Sequence, residues 1–135
     1  MILCSGCFDG LHVGHVRYLR AALDAFPGHR LTVAVAPDAY IRATKARSPK
    51  WSEKDRVETV FALGMVDRVV MHGEFGAADI IHDLKPAAFI KGEDWQAGLP
   101  EDVRRACHEV GARIAFVKSG VTQHSSDAIP TLLAS

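Results

Sequence analysis

Long hydrophobic runs are missing from this 135-residue chain, and no stretch approaches the ~20 apolar residues a membrane span needs. The N-terminus, MILCSGCFDG, also lacks a basic leader followed by a long apolar segment, so a cytoplasmic location with no membrane partner is expected. A surplus of either charge is absent, because sixteen Lys and Arg residues balance sixteen Asp and Glu. No global field therefore draws the chain to nucleic acid, and any anion site must be built locally. Cysteine is scarce. Cys4, Cys7 and Cys107 are an odd number without a secretion signal, which argues for reduced thiols and against a disulfide framework. Repeats, low-complexity tracts and linkers are missing too, so one domain over residues 1–135 is expected. What is abundant is apolar surface: 48% of residues, enough for a core and too much for a disordered chain.

Hydrophobic periodicity then gives an order of elements. Residues 2–7 read as a short buried strand, and Val16, Leu19, Leu23 and Phe26 place one apolar stripe on a helix ending near Pro27-Gly28-His29. LTVAVAP (31–37) has the composition of a strand buried on both faces of a parallel sheet. After a polar stretch, Ser52 and Asp55 form a capping signature ahead of Val57, Val60 and Phe61, with Gly64 as a stop. VDRVVM (66–71) reads as a strand, GAADIIHDLKP as a helix ended by Pro86, and AAFIKG as another strand. Pro100 at a first helical position, the stripe Val103, Cys107 and Val110, and Gly111 as a stop define a further helix before the strand ARIAFV. Five strands alternating with helices predict an α/β fold: a single Rossmann-like, doubly wound domain with a five-stranded parallel sheet. Ligands in such sheets sit beyond the carboxyl ends of the strands, where CFDGLHVGH, PDAYIRATK and KGEDW should converge.

The stretch CSGCFDGLHVGH (4–15) admits two chemistries. Cys4, Cys7, His12 and His15 are all zinc-ligand types. In a strand, however, residues three apart point to opposite faces, and the gap from Cys7 to His12 is far shorter than the roughly twelve residues of a zinc finger. A redox CxxC would open a helix, whereas here the helix starts after His12. The phosphate reading uses more of the residues. Gly6, Gly10 and Gly14 let the backbone turn and approach a ligand, and a helix N-terminus near Gly14 presents unpaired N–H groups. His12 and His15, three apart at that start, can donate ring N–H bonds to phosphate oxygens. No protein-held metal is expected.

These residues, from Gly6 to His15, match G-x-F-D-x-x-H-x-G-H and so resemble the signature of the cytidylyltransferase-like nucleotidyltransferases. SEKDRVETVFALGMVDRVV resembles the family's helix and strand around an arginine, here Arg56; KGEDW and HSSDAI resemble its later stretches. The resemblance covers nearly the whole chain and implies a reaction in which an acceptor phosphate oxygen attacks the α-phosphorus of CTP or ATP, with Mg²⁺ bound to the triphosphate and pyrophosphate released. Positioning and charge stabilisation carry such a step, without a covalent nucleophile. The branches nearest in length and order are glycerol-3-phosphate cytidylyltransferase and the adenylyltransferase that makes ADP-heptose. A class I aminoacyl-tRNA synthetase, with a similar His-rich signature, is disfavoured because the chain has no room for a tRNA-binding domain and no net positive charge.

Carried over residue by residue, the resemblance implies catalytic roles for His12, His15, Lys45 and Arg56. It implies nucleotide contacts from Cys7, Phe8, Gly14, Lys91, Gly92, Asp94, Ser125 and Ser126, and acceptor contacts from Asp9, Asp38 and Trp95. Lys45 lies in ATKARSPK, expected to be a mobile loop that closes over the triphosphate. Trp95 tips the expectation to transfer of CMP from CTP onto a small phosphorylated polyol, sugar or phosphonate. Transfer of AMP from ATP to a sugar phosphate is the alternative, and a metal- or nucleotide-sensing module without turnover is the non-enzymatic one. Two departures from the family stand out: KSGVTQHSS has no arginine where the cytidylyltransferases carry one, and Pro130 falls in the first turn of the expected last helix. The family also implies a homodimer.

Overall fold

The structure, a computed structural model, describes residues 1–118. The expected last helix, with Ser125, Ser126 and Pro130, lies outside these residues. Five strands, β1 (Ile2–Gly6), β2 (Leu31–Val35), β3 (Arg68–Met71), β4 (Ala88–Gly92) and β5 (Arg113–Val117), form one parallel sheet in the order β3-β2-β1-β4-β5. Helices α1 (Val13–Ala25), α2 (Asp38–Lys45), α3 (Glu53–Phe61), α4 (Ala78–Leu84) and α5 (Glu101–Val110) connect them, with a short 3₁₀ turn at Glu93–Trp95.

The sheet alternates as pleating requires. Ile2, Cys4, Leu31, Val33, Val35, Ala88 and Ile90 form one core with Tyr18, Leu19 and Ala22 of α1 and Val60 of α3. Leu3, Ala34 and Phe89 form the other with Ile81 of α4 and Val103, Ala106 and Cys107 of α5. Helices thus cover both faces, and the expected doubly wound fold is the one observed. Strand order reverses between β1 and β4, whose pairing stops at Cys4 and Ile90; beyond that point the chains diverge and leave a crevice.

Three boundaries differ from expectation. Helix α1 begins at Val13, a turn before its apolar stripe, because His12 caps it. Pro100 is the N-cap of α5 rather than its first residue. Of the stretch expected as a loop around Lys45, residues 46–50 do lie outside any helix or strand, but residues 43–45 are instead the end of α2, a helix whose own N-cap, Pro37, has no capping side chain. Its Asp38 N–H is satisfied by Glu53 Oε2 of α3 at 3.0 Å.

Candidate active site

The loop between β1 and α1 makes the floor of the site. Phe8 takes a left-handed backbone (φ 52), which swings its ring back under Gly6; a Cβ on Gly6 would lie 2.9 Å from Phe8 Cε2. Gly6 is therefore required by the Phe8 ring, and Gly10 by its own φ of +97. The ring of Phe8, 2% exposed, packs 5.1 Å from that of His15.

His12 and His15 cap α1 reciprocally. His12 Nδ1 accepts the Gly14 N–H at 3.0 Å, and His15 Nδ1 accepts the His12 N–H at 3.1 Å. A nitrogen that accepts from N–H carries no hydrogen, so the proton of each neutral ring sits on Nε2. Burial, reinforced by His12, lowers the pKa of His15 to about 4, so it is neutral at ordinary pH. With ring centroids 3.9 Å apart, the pair gives the cavity two adjacent N–H donors at a helix N-terminus.

On the other side of the crevice, Lys91 ends its buried stem in an ammonium bonded to Ser5 O (2.9 Å) and Ser5 Oγ (3.3 Å), 4.4 Å from the centre of the Trp95 ring. Burial lowers its pKa to about 8. Tyr18 Oη donates to Ile90 O and stands near Ser5 O, so one hydroxyl bridges the two strands where they part.

Arg56, expected to touch phosphate, is fully buried and directed elsewhere. Its Nε donates to Trp51 O (3.0 Å), Nη1 to Cys7 O (2.7 Å) and Ala36 O (2.6 Å), and Nη2 to Asp38 Oδ1 (2.8 Å). It does not line the cavity, and neither does Asp38. Both are positioning residues that tie the β1–α1 loop, the end of β2 and the approach to α3 together, because a guanidinium can serve several carbonyls in fixed directions at once. Asp9 lines the cavity, yet its carboxylate accepts from Arg47 (2.7 Å), Lys50 N–H (2.9 Å) and Trp51 N–H (2.8 Å). Burial opposes its ionisation, but those three donors outweigh it and hold the pKa near 2. The segment after α2 is thus latched onto the signature loop, and an acceptor contact from Asp9 would have to compete with that latch.

The cavity over the strand ends measures about 770 Å³. It brings together Cys7, Phe8, Asp9, Gly14, His12, His15, Lys45, Lys91, Gly92, Asp94 and Trp95 as the sequence implied. Lys45, the last residue of α2, is exposed at its edge. The sequence reading missed Tyr18, Tyr40, Arg47 and His72, which also line it. His72 could have been found, since it comes directly after the strand read at 66–71 and so falls at the ligand edge. Cys4 is buried in β1, apart from the cavity lining, and burial pushes its thiol up to about 12. The described residues contain no group of three or more His, Cys, Asp or Glu that could hold a metal.

A parallel sheet with its crevice at the reversal of strand order, and a helix start carrying two N–H-donating imidazoles, define a nucleotide-binding α/β domain of the nucleotidyltransferase type. The sequence model of the cytidylyltransferase-like family matches residues 3–129, and the chain belongs to that family. It is 41% identical over 97 residues to the bifunctional protein HldE of Coxiella burnetii (strain RSA 493 / Nine Mile phase I), covering 71% of this chain and 20% of that protein. Against HldE of Geobacter metallireducens the figures are 35% over 120 residues, 87% and 24%. The chain therefore spans about a fifth to a quarter of the length of these curated relatives. The crystal structure of a lipopolysaccharide core biosynthesis protein from Thermoplasma volcanium superposes with a TM-score of 0.75 at 25% identity, covering 89% of this chain and 97% of that one.

Proposed function

We propose that this domain transfers AMP from ATP to the phosphate of a small sugar phosphate and releases pyrophosphate. The observation that supports nucleotidyl transfer is the reciprocal His12–His15 cap, which leaves both Nε2–H groups as donors beside one another in the cavity. An acceptor phosphate oxygen forms the new bond to the α-phosphorus as the bond to the β-phosphate oxygen breaks, and the electron pair leaves with pyrophosphate. Charge grows on the non-bridging α-phosphate oxygens during that exchange, where the two N–H dipoles act without a proton changing hands. Lys45 at the mouth and Lys91 across the crevice supply cationic charge for the triphosphate.

Magnesium bound to the triphosphate supplies further charge neutralisation. The donor set suits that arrangement, since such an ion keeps its waters and phosphate oxygens and needs only one or two carboxylates. Glu93, Asp94 and Asp102, all exposed at the cavity, are the carboxylates that would be available to hold it, because Asp9 is already engaged.

The company of HldE proteins and of a lipopolysaccharide core biosynthesis protein favours a sugar-phosphate acceptor, since a sugar polymer is assembled from nucleotide-activated sugars, and of the two branches weighed above the one that acts on a sugar phosphate uses ATP. The expectation of CTP rested on Trp95. Its ring supports the Lys91 ammonium, a role indifferent to the base, and so carries no preference. The test is pyrophosphate release with ATP, CTP, GTP and UTP against sugar phosphates and glycerol 3-phosphate. ATP with a sugar phosphate should exceed every CTP pairing at least tenfold, about 1.4 kcal/mol in transition-state binding. CTP with glycerol 3-phosphate as the best pair would restore the cytidylyl reading. Bound zinc with no turnover of any pair would instead indicate a sensor.

A further inference from the structure

His72, directly after β3, is buried on the wall of the same cavity, and its ring is held in the opposite sense to those of His12 and His15. Its Nδ1 lies 2.7 Å from the carbonyl oxygen of Gly73. A carbonyl only accepts, so Nδ1 carries the hydrogen and Nε2 presents a lone pair. Burial, the largest influence, keeps the ring below its ordinary pKa and so neutral; the bond to Gly73 opposes this, and Lys91 and Arg56 act with burial. Nothing in the described residues bonds to Nε2, yet no buried side-chain nitrogen or oxygen among them lacks a partner; Nε2 therefore meets the open cavity. Tyr40 fixes the ring edge-on at 4.9 Å, and Phe75, 87% exposed, forms an apolar rim beside it.

A lone pair repels phosphate and carboxylate oxygens and accepts from O–H. An aromatic wall suits the C–H face of a sugar or polyol. We propose that His72 is a specificity-determining residue of the acceptor subsite, accepting a hydrogen bond through Nε2 from a hydroxyl of a polyhydroxylated phosphate that lies against Tyr40 and Phe75. This deepens the nucleotidyl-transfer reading and rests on it for the existence of an acceptor. His12 and His15 thus address phosphate with donors, and His72 addresses the acceptor's body with an acceptor.

Binding tests it independently of turnover. Glucose, mannose and galactose 1-phosphates, ribose 5-phosphate and glycerol 3-phosphate are titrated calorimetrically into wild type, His72→Phe and His72→Gln, with methyl phosphate as the hydroxyl-free control and ATP as the control for the nucleotide. At least one polyhydroxylated phosphate should bind wild type tenfold or more tighter than methyl phosphate. That preference should vanish in His72→Phe, persist in part in His72→Gln through the amide oxygen, and leave ATP affinity unchanged. Wild type without the preference, or His72→Phe retaining it, overturns the proposal. The ¹⁵N pattern of the wild-type imidazoles decides without any variant: His72 must be the Nδ1–H tautomer, and an Nε2–H tautomer there overturns the assignment. The expected binding without pyrophosphate release from any nucleotide would refute the transferase reading while leaving the hydroxyl subsite in place.

Discussion

Replacing Arg56 by Ala removes one guanidinium and leaves four acceptors without their donor: the carbonyls of Trp51, Cys7 and Ala36 and the carboxylate of Asp38. Hydrogen bonds to charged groups contribute about 1.5–3 kcal/mol each, but the four do not add, because relaxation and entering water satisfy some of the partners. Removing one member of a buried ion pair typically costs about 3–5 kcal/mol. The Asp38 side chain retains 20% of its exposure and recovers part of its hydration, which places the expected loss near the lower end, about 3 kcal/mol. For a domain of this size that corresponds to a fall in Tm on the order of 10 °C. Urea denaturation followed by circular dichroism measures it, with Arg56→Lys beside it. A point ammonium keeps the charge but cannot face four directions, so about half the loss should remain. An Arg56→Ala protein destabilised by less than about 1 kcal/mol would refute the reasoning, because water would then be serving those carbonyls. Activity should fall with stability, since the Cys7 carbonyl belongs to the loop that leads into His12.

Burial holds the thiols of Cys4 and Cys107 up at about 12 and about 11, so in the native protein at pH 8 an alkylating reagent read by mass spectrometry should label Cys7, on the cavity wall, and spare both; fast labelling of Cys4 would contradict its place in the core. Asp9 has a folded pKa near 2 against about 3.9 unfolded, so the stability lost in Asp9→Asn should be full above pH 4 and shrink as the pH falls toward 2. A wild-type-minus-variant difference that stays flat over that interval rules the latch out as its cause. His15→Ala should lower kcat by roughly 10²–10³ with little change in nucleotide KM, the cost of one donor aimed at developing charge; near-normal kcat in a folded protein would sink the role assigned to the pair. His15 has a folded pKa of about 4 against 6.5 in the unfolded chain, so its contribution to stability is complete above pH 6.5 and lost as the pH falls to 4; His15→Gln should flatten that limb of the stability profile.

The fold was legible because its central strands β1, β2 and β4 are buried on both faces and its helices are not. Continuous apolar runs such as LTVAV and stripes such as Val103, Cys107 and Val110 each admit one assignment. Helix α2 was hidden because its N-terminus is satisfied by Glu53, fifteen residues away, and a sequence window sees only the proline before it. The burial of Arg56 was hidden for the same kind of reason. Close to Asp55 and Glu58 on a polar helix it has every mark of a surface residue, and its partners come from the residues just after β1 and β2 and from the start of α2. Asp9 likewise looks like a free carboxylate until the chain returns some forty residues later to close on it. Cavity-lining residues at strand ends were legible from topology, whereas residues whose partners are assembled by tertiary folding were not.

The choice of histidine at both capping positions carries its own argument. Ser, Asp or Asn at position 12 would accept the helix N–H at least as well, and Glu at position 15 would return the bond, so helix formation alone gives no reason for either imidazole. What imidazole adds is a second nitrogen. Once Nδ1 has accepted a backbone N–H, the tautomer is fixed and Nε2–H must point away from the cap; the bonds that start α1 are the same bonds that set the two donors. A carboxylate in that position would have nothing to donate, a hydroxyl would donate only through an O–H that rotates freely and stays close to the backbone, and a lysine would place a mobile charge where a fixed dipole is wanted. The Phe8 ring against His15 removes water from one side, which lowers the imidazole's pKa and keeps the donor neutral, so the pair attracts an anion through geometry in a chain with no net charge to offer.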